Sequence, residues 1–124
     1  MQQAVAQDRL LESLFRAIDA KDSAHFVSFL TEDCAFRFGS APAVRGRDAV
    51  AEAVDAFFAS IDGLRHVVQR TWTGNGTLAC EGEVTYRRHD GSEITLPFAD
   101  VFEFSGELIS SYCIYIDIAP LYAD

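Results

Sequence analysis

From Gly63 onward the chain is punctuated by two dipeptides that leave its second half little choice of architecture. Asn75-Gly76 and Asp90-Gly91 each interrupt a run of alternating side chains, and Asn-Gly and Asp-Gly between such runs are the strongest short-range signals for a β-hairpin. Gly106 in "SGE" marks a third reversal. The spacing predicts strands over Leu64–Trp72, Thr77–Arg88, Ile94–Phe104 and Leu108–Ile118. Turns this short can only connect antiparallel neighbours, so the four strands form a meander.

Before Gly63 the period is that of a helix. Leu10, Leu11, Leu14, Phe15 and Ile18 recur at helical spacing. "AKDSAHFVSFL" breaks and restarts a helix, with Asp22 or Ser23 as cap and Phe26, Phe29 and Leu30 as its apolar face. "EDCAFRFG" alternates as a short strand. After Pro42 and Gly46 a third helix carries Val50, Val54, Phe57, Phe58 and Ile61 on one stripe. Three helices ahead of a meander must cover one face of it, which predicts an α+β domain spanning residues 1–124. The other face carries Val84, Tyr86, Val101 and Tyr115, too apolar a stripe for full solvation, and a homodimer through it is expected.

Composition narrows the partners. Ten Phe and a 49% hydrophobic content are globular. A net charge of -9 with a single lysine, Lys21, argues against nucleic acid and anionic membrane surfaces. No apolar run approaches a membrane span and the first fifteen residues lack a signal pattern, so a cytoplasmic location is expected. Cys34, Cys80 and Cys113 are odd in number and far apart, as reduced, buried thiols would be. His25, His66 and His89 lie on unconnected elements without metal-ligand spacing, so no metal or other cofactor is expected.

The feature that asks for chemistry is Asp100. In "EITLPFADVFEF" it shares a strand face with Ile94, Leu96, Phe98, Phe102 and Phe104. A carboxyl on such a face is costly when ionised, and its pKa rises. Two-residue loops at both Asn75-Gly76 and Asp90-Gly91, with a three-residue loop at Ser105–Glu107, put Arg70, Glu81, Asp100 and Tyr112 in one row across the sheet and His66 opposite Thr85. That row is a structural polar cluster or the floor of a site, and the residues alone leave both open.

These segments taken in order resemble the SnoaL-like branch of the nuclear transport factor 2 superfamily, which includes ketosteroid isomerases, polyketide cyclases and limonene epoxide hydrolases. "AIDAKDSAHFVSFLTEDCAFRF", "VRGRDAVAEAVDAFF", "GLRHVVQRTW", "LPFADVFEF" and "YCIYIDIAPLY" carry the likeness. It implies a cone-shaped, curved, mostly antiparallel sheet wrapped around the N-terminal helices, a cystatin-like α+β barrel, with a pocket at its wide end. It also implies that Asp100 of "ADVF" stands where the isomerases keep a protonated, pocket-facing Asp. The isomerase oxyanion Tyr would fall at Leu14 and its base at Phe38, and the hydrolase Arg-Asp pair at Cys113 and Ile114, so neither mechanism transfers.

What remains is Asp100 and His66 as candidate proton-transfer groups, sharing a face but two rows apart, so that they meet through a ligand. The pocket is expected to draw on Tyr112, Phe98 and Phe102 with Arg70 and Glu81, and on Ile114, Phe57 and Phe15. Two functions follow. One is an isomerase-, cyclase- or dehydratase-type enzyme moving protons on an apolar carbonyl compound. The other is a non-catalytic domain that holds an apolar ligand or acts as a dimeric interaction module. A cavity of roughly 300 Å³ or more with Asp100 and His66 on its wall would support a ligand site, and a cone packed solid would end both ligand readings.

Overall fold

A computed structural model describes residues 2–123, with side chains from Arg9 to Ala123. In chain order the elements are helices α1 (Gln2–Asp19) and α2 (Ser23–Val27), strands β1 (Leu30–Phe38) and β2 (Val44–Arg45), helix α3 (Arg47–Ala59), strands β3 (Gly63–Gly74), β4 (Thr77–Arg87), β5 (Glu93–Ser105) and β6 (Leu108–Tyr115), and a closing turn of helix α4 (Ala119–Tyr122). The strands form one sheet in the order β2-β1-β6-β5-β4-β3. All neighbours are antiparallel except β1 and β6, which run parallel. The sheet stays open, with β2 and β3 as its edges, so the expected α+β cone forms without closing into a barrel.

The start and end of each helix have local causes. Asp22 caps α2, its side chain accepting from the His25 amide at 3.0 Å. Lys21 takes a left-handed φ of +57° between α1 and α2, and its ammonium reaches the Phe58, Ile61 and Asp62 carbonyls, closing the C-terminal end of α3. Helix α2 is shorter than its apolar pattern suggests. It ends at Val27, and Leu30 opens β1 instead of extending the helix face. At the other end of the chain β6 stops at Tyr115, and the segment expected to extend it to Ile118 instead turns into α4.

Register departs from expectation at two of three hairpins and at two bulges. Asn75 and Gly76 have φ of +53° and +75°, the pair of positive values a type I′ turn requires, and Gly74 faces Thr77 and Arg70 faces Glu81 as the turn chemistry dictates. At Asp90-Gly91 only Gly91 is left-handed, and the Arg88 amide closes on the Ser92 carbonyl at 2.8 Å. The loop is therefore three residues long, which moves Asp100 from Glu81 to Cys80. At the third reversal Ser105 faces Leu108, so the loop is two residues long, and a bulge between Glu103 and Phe104 follows. Asp100 consequently lies opposite Ile114, and Tyr112 opposite Phe102. A bulge between Val68 and Arg70 places His66 opposite Val84 rather than Thr85. The row Arg70-Glu81-Asp100-Tyr112 does not form.

The concave face of the sheet packs against α1 and α3 through Leu14, Phe15 and Ile18, Val50, Val54 and Phe58, and Val84, Phe98, Phe102 and Tyr112. Val84 and Tyr86 belong to this buried face, not to the outer stripe expected of them, because β4 points its even-numbered residues inward. The outer face keeps a cross-strand row of Trp72, Ala79, Val101 and Cys113, with Tyr115 beside it. Trp72 and Tyr115 are half exposed, at 50% and 57%. No helix among the described residues is long and apolar enough to cross a membrane.

Candidate functional site

Between α3, the β1–β2 loop and the concave face lies a cavity of about 220 Å³. Phe26, Phe36, Phe38, Phe57 and Phe58 supply most of its aromatic wall, and Ile18, Leu64 and Ile114 add aliphatic surface. Only three wall residues carry polar side-chain atoms: His66, Tyr86 and Tyr112. Alternation explains their presence, since His66 on β3, Tyr86 on β4 and Tyr112 on β6 all sit at inward-facing strand positions.

His66 is held from behind by Asp19, the last residue of α1. One carboxylate oxygen of Asp19 lies 2.6 Å from His66 Nδ1, and the other accepts the His66 backbone N–H at 3.0 Å. Because β3 is an edge strand, that N–H has no strand partner, and the carboxylate fills the vacancy. A carboxylate needs a donor, which assigns the proton of neutral His66 to Nδ1 and the lone pair to Nε2. Phe15 stacks on the ring at 4.7 Å between centroids and Phe98 meets it edge-on at 5.2 Å, so the imidazole cannot swing. His66 and Tyr86 are diagonal neighbours across the β3–β4 pair, since Leu64 faces Tyr86 and His66 faces Val84. Diagonal positions lie roughly 7–8 Å apart.

Asp100 points inward as its strand face requires and is only 1% exposed, yet it is not on the cavity wall. It sits behind Tyr112, whose hydroxyl donates to Oδ2 at 3.1 Å, while Oδ1 is buried without a partner. Burial pushes its pKa up to about 8, and the Tyr112 hydrogen bond opposes only part of that. Asp100 is therefore largely protonated at neutral pH. Burial and the nearby Asp100 in turn raise the Tyr86 hydroxyl well above the ordinary tyrosine range, so it remains a donor.

The structure divides the expected site residues into three groups. His66, Tyr112, Ile114 and Phe57 form the wall. Phe15 and Phe98 clamp His66, and Phe102 packs on Tyr112 at 4.4 Å, so these three and Asp100 support the wall from behind. Arg70 and Glu81 are corrections. They pair with each other on the outer face, where the Arg70 side chain is 70% exposed, because the bulge reverses the facing of β3 beyond Val68. The cavity itself is smaller than the roughly 300 Å³ expected of a ligand site, and it meets only half of the expected polar lining. Asp19 and Tyr86 were not foreseen. Tyr86 could have been found from the alternation of β4, whose even positions Leu78, Cys80, Val84 and Tyr86 are the apolar ones, whereas nothing local in the sequence links Asp19 to His66. Among the described residues no cluster of His, Cys, Asp and Glu could hold a metal ion.

Comparison with known proteins agrees with this geometry at the level of the fold. An NTF2-like protein of unknown function from Burkholderia pseudomallei superimposes with a TM-score of 0.84 at 15% identity, covering 94% of each chain. A candidate polyketide cyclase from Xanthomonas campestris superimposes at 0.78 with 20% identity, over 94% of this chain and 93% of that one. An LEH-like epoxide hydrolase from M. tuberculosis gives 0.75 at 16% identity, over 90% and 82%. No curated protein sequence matches the chain. The sequence profile of the SnoaL-like domain matches residues 11–112, from the buried face of α1 to the tyrosine in front of Asp100, and the chain belongs to the SnoaL-like family.

Proposed function

We propose that this SnoaL-like domain is an acid–base catalyst that moves a proton on a small apolar carbonyl compound, using only its own side chains. The observation that carries the reading is the Asp19–His66 pair on the wall of an otherwise apolar cavity. A base oriented by a second group is the arrangement proton abstraction needs, and a dry wall strengthens every charge that develops beside it.

In this reading His66 Nε2 removes a proton from the carbon next to the carbonyl. The C–H electron pair becomes the enolate double bond, and the carbonyl pair moves to oxygen. Asp19 stabilises the imidazolium through Nδ1–H without taking the proton. The Tyr86 hydroxyl, which has no hydrogen-bond partner among the described residues, donates to the enolate oxygen. On a β,γ-unsaturated ketone His66 then returns its proton at the γ-carbon, which isomerises the compound to the conjugated enone; on a β-hydroxy ketone it gives the proton to the departing hydroxyl, which dehydrates the compound to an enone and water. Asp100 accepts the Tyr112 hydroxyl proton on Oδ2 and so holds that side chain in place at the cavity wall.

The test is hydrogen–deuterium exchange at the α-carbon of a simple aryl ketone, followed by NMR. His66→Gln should abolish catalysed exchange, and Asp19→Asn should slow it by about 10²-fold or more through the wrong tautomer. A His66→Gln protein that exchanges as fast as the parent would end the proposal. One observation favours the non-catalytic reading instead: the acid the family resemblance singles out is sealed behind Tyr112. A ligand that binds without exchange in any variant would select that reading.

A further inference from the structure

Resting on the cavity described above, we propose that the ligand is a neutral, single-ring ketone of about nine non-hydrogen atoms, and that multi-ring ketones and carboxylates are excluded. Size is the first argument. An apolar protein cavity of about 150 Å³ accommodates benzene, six carbon atoms, so a cavity of 220 Å³ scales to about nine. A steroid or a fused polyketide has more than twice as many atoms, and interiors packed to crystal density do not yield that volume by side-chain relaxation. Family membership alone would leave ligands of both sizes open.

Charge is the second argument. No Asp, Glu, Lys or Arg is on the wall. The nearest acids stand behind it, with Asp19 behind His66 and Asp100 behind Tyr112. An anionic ligand would lose its hydration, meet no Lys or Arg on the wall and face the Asp19 carboxylate behind His66. Shape is the third. Phe38 and Phe57 meet at 4.9 Å with a 44° tilt, and Phe57 meets Tyr86 edge-on at 5.7 Å. Such walls present flat faces and edges that suit a planar or nearly planar ring. The wall's polar complement is an imidazole nitrogen and two hydroxyls, enough for one carbonyl and its neighbouring carbon.

Three probes separate size from charge at pH 7: acetophenone, benzoate (the same number of non-hydrogen atoms with a negative charge) and a four-ring steroid ketone. Binding is read by ligand-observed NMR and calorimetry, independently of turnover. Acetophenone should bind at least tenfold more tightly than either of the others. Ala53→Leu, which adds bulk at a wall position, should weaken acetophenone at least tenfold. If that variant fails to fold, Ala41→Leu in the β1–β2 loop makes the same test at the opposite wall. Acetophenone that binds without exchanging its methyl protons upholds this inference while removing the acid–base reading. Steroid or benzoate binding as tight as that of acetophenone, or no acetophenone binding at all, overturns it.

Discussion

Replacing Asp100 by Asn should make the protein less stable in acid and more stable at neutral pH, relative to the parent. Asp100 is sealed from water with one oxygen unpaired, and burial raises its pKa from 3.8 to about 8. The sign follows from proton counting. Between those two values the folded state holds a proton that the unfolded state has released, so stability falls as pH rises. At pH 7, about three pH units above the unfolded value, the effect is about 4 kcal/mol, at about 1.4 kcal/mol per unit. Asn keeps an acceptor for Tyr112 and needs no proton, but it buries an amide whose N–H groups lack partners, a cost of about 1–3 kcal/mol. The variant should therefore exceed the parent by about 1–3 kcal/mol at pH 7. Urea unfolding of both proteins from pH 5.5, above the pI of about 4.6, to pH 8 should show the difference growing by about 3 kcal/mol, with other titrating groups cancelling between the pair. A difference that does not change with pH, or one that shifts in favour of the parent as pH rises, would show that Asp100 is ionised in the fold and refute the argument.

Three further outcomes follow from the packing. Lys21→Met removes the ammonium from three carbonyls at the end of α3 and should cost about 1–2 kcal/mol in urea unfolding; Lys21→Gly loses the same contact but relieves the left-handed backbone, so it should be the milder change, and the reverse order would be wrong for this account. Gly82→Ala would put a Cβ 1.9 Å from the Val67 carbonyl oxygen, where only backbone can give way, and should cost more than about 2 kcal/mol or prevent folding; a variant of parental stability would contradict the close crossing of β3 and β4. Trp72→Glu at the edge-strand end of the outer apolar row should leave a monomer in light scattering where the parent is a dimer at micromolar concentration, and a monomeric parent would remove the role of that face.

Asp100's inward direction was legible because alternation is intrinsic to a strand and survives any error of register. So was the type I′ turn at Asn75-Gly76, where both residues tolerate positive φ. Asp90-Gly91 was ambiguous because a Gly at the end of a three-residue loop and a Gly in a two-residue loop have the same composition. That single residue moved Asp100 away from Glu81. The two bulges place Gln69 and Ser110 out of step without any Gly or Pro of their own; the one signal lay across the first of them, in Gly82, whose missing Cβ admits the Val67 carbonyl. Arg70 shares sequence parity with His66 and would have faced inward without the first bulge. The Asp19–His66 contact spans two elements joined by no hairpin, so only the packing of α1 over the edge strand discloses it.

Strand order has a consequence for how the molecule is made. The parallel pair β1–β6 joins Leu30 to Ile109, about two thirds of the chain apart, while every other long pairing is a local hairpin. The hairpins can zip early, but closing β1 against β6 spans a loop that contains the other four strands and α3, and so sets a high contact order. During synthesis β1 must wait with an unpaired edge until Leu108–Tyr115 has emerged, and β5 waits for the same strand. Tyr112 and Ile114 of that last strand are cavity residues, so the pocket cannot exist before that strand has paired. A nascent chain stalled before Leu108 would offer two open strand edges and an unfinished apolar hollow, which makes it a substrate for chaperones before it can be a receptor for any ligand.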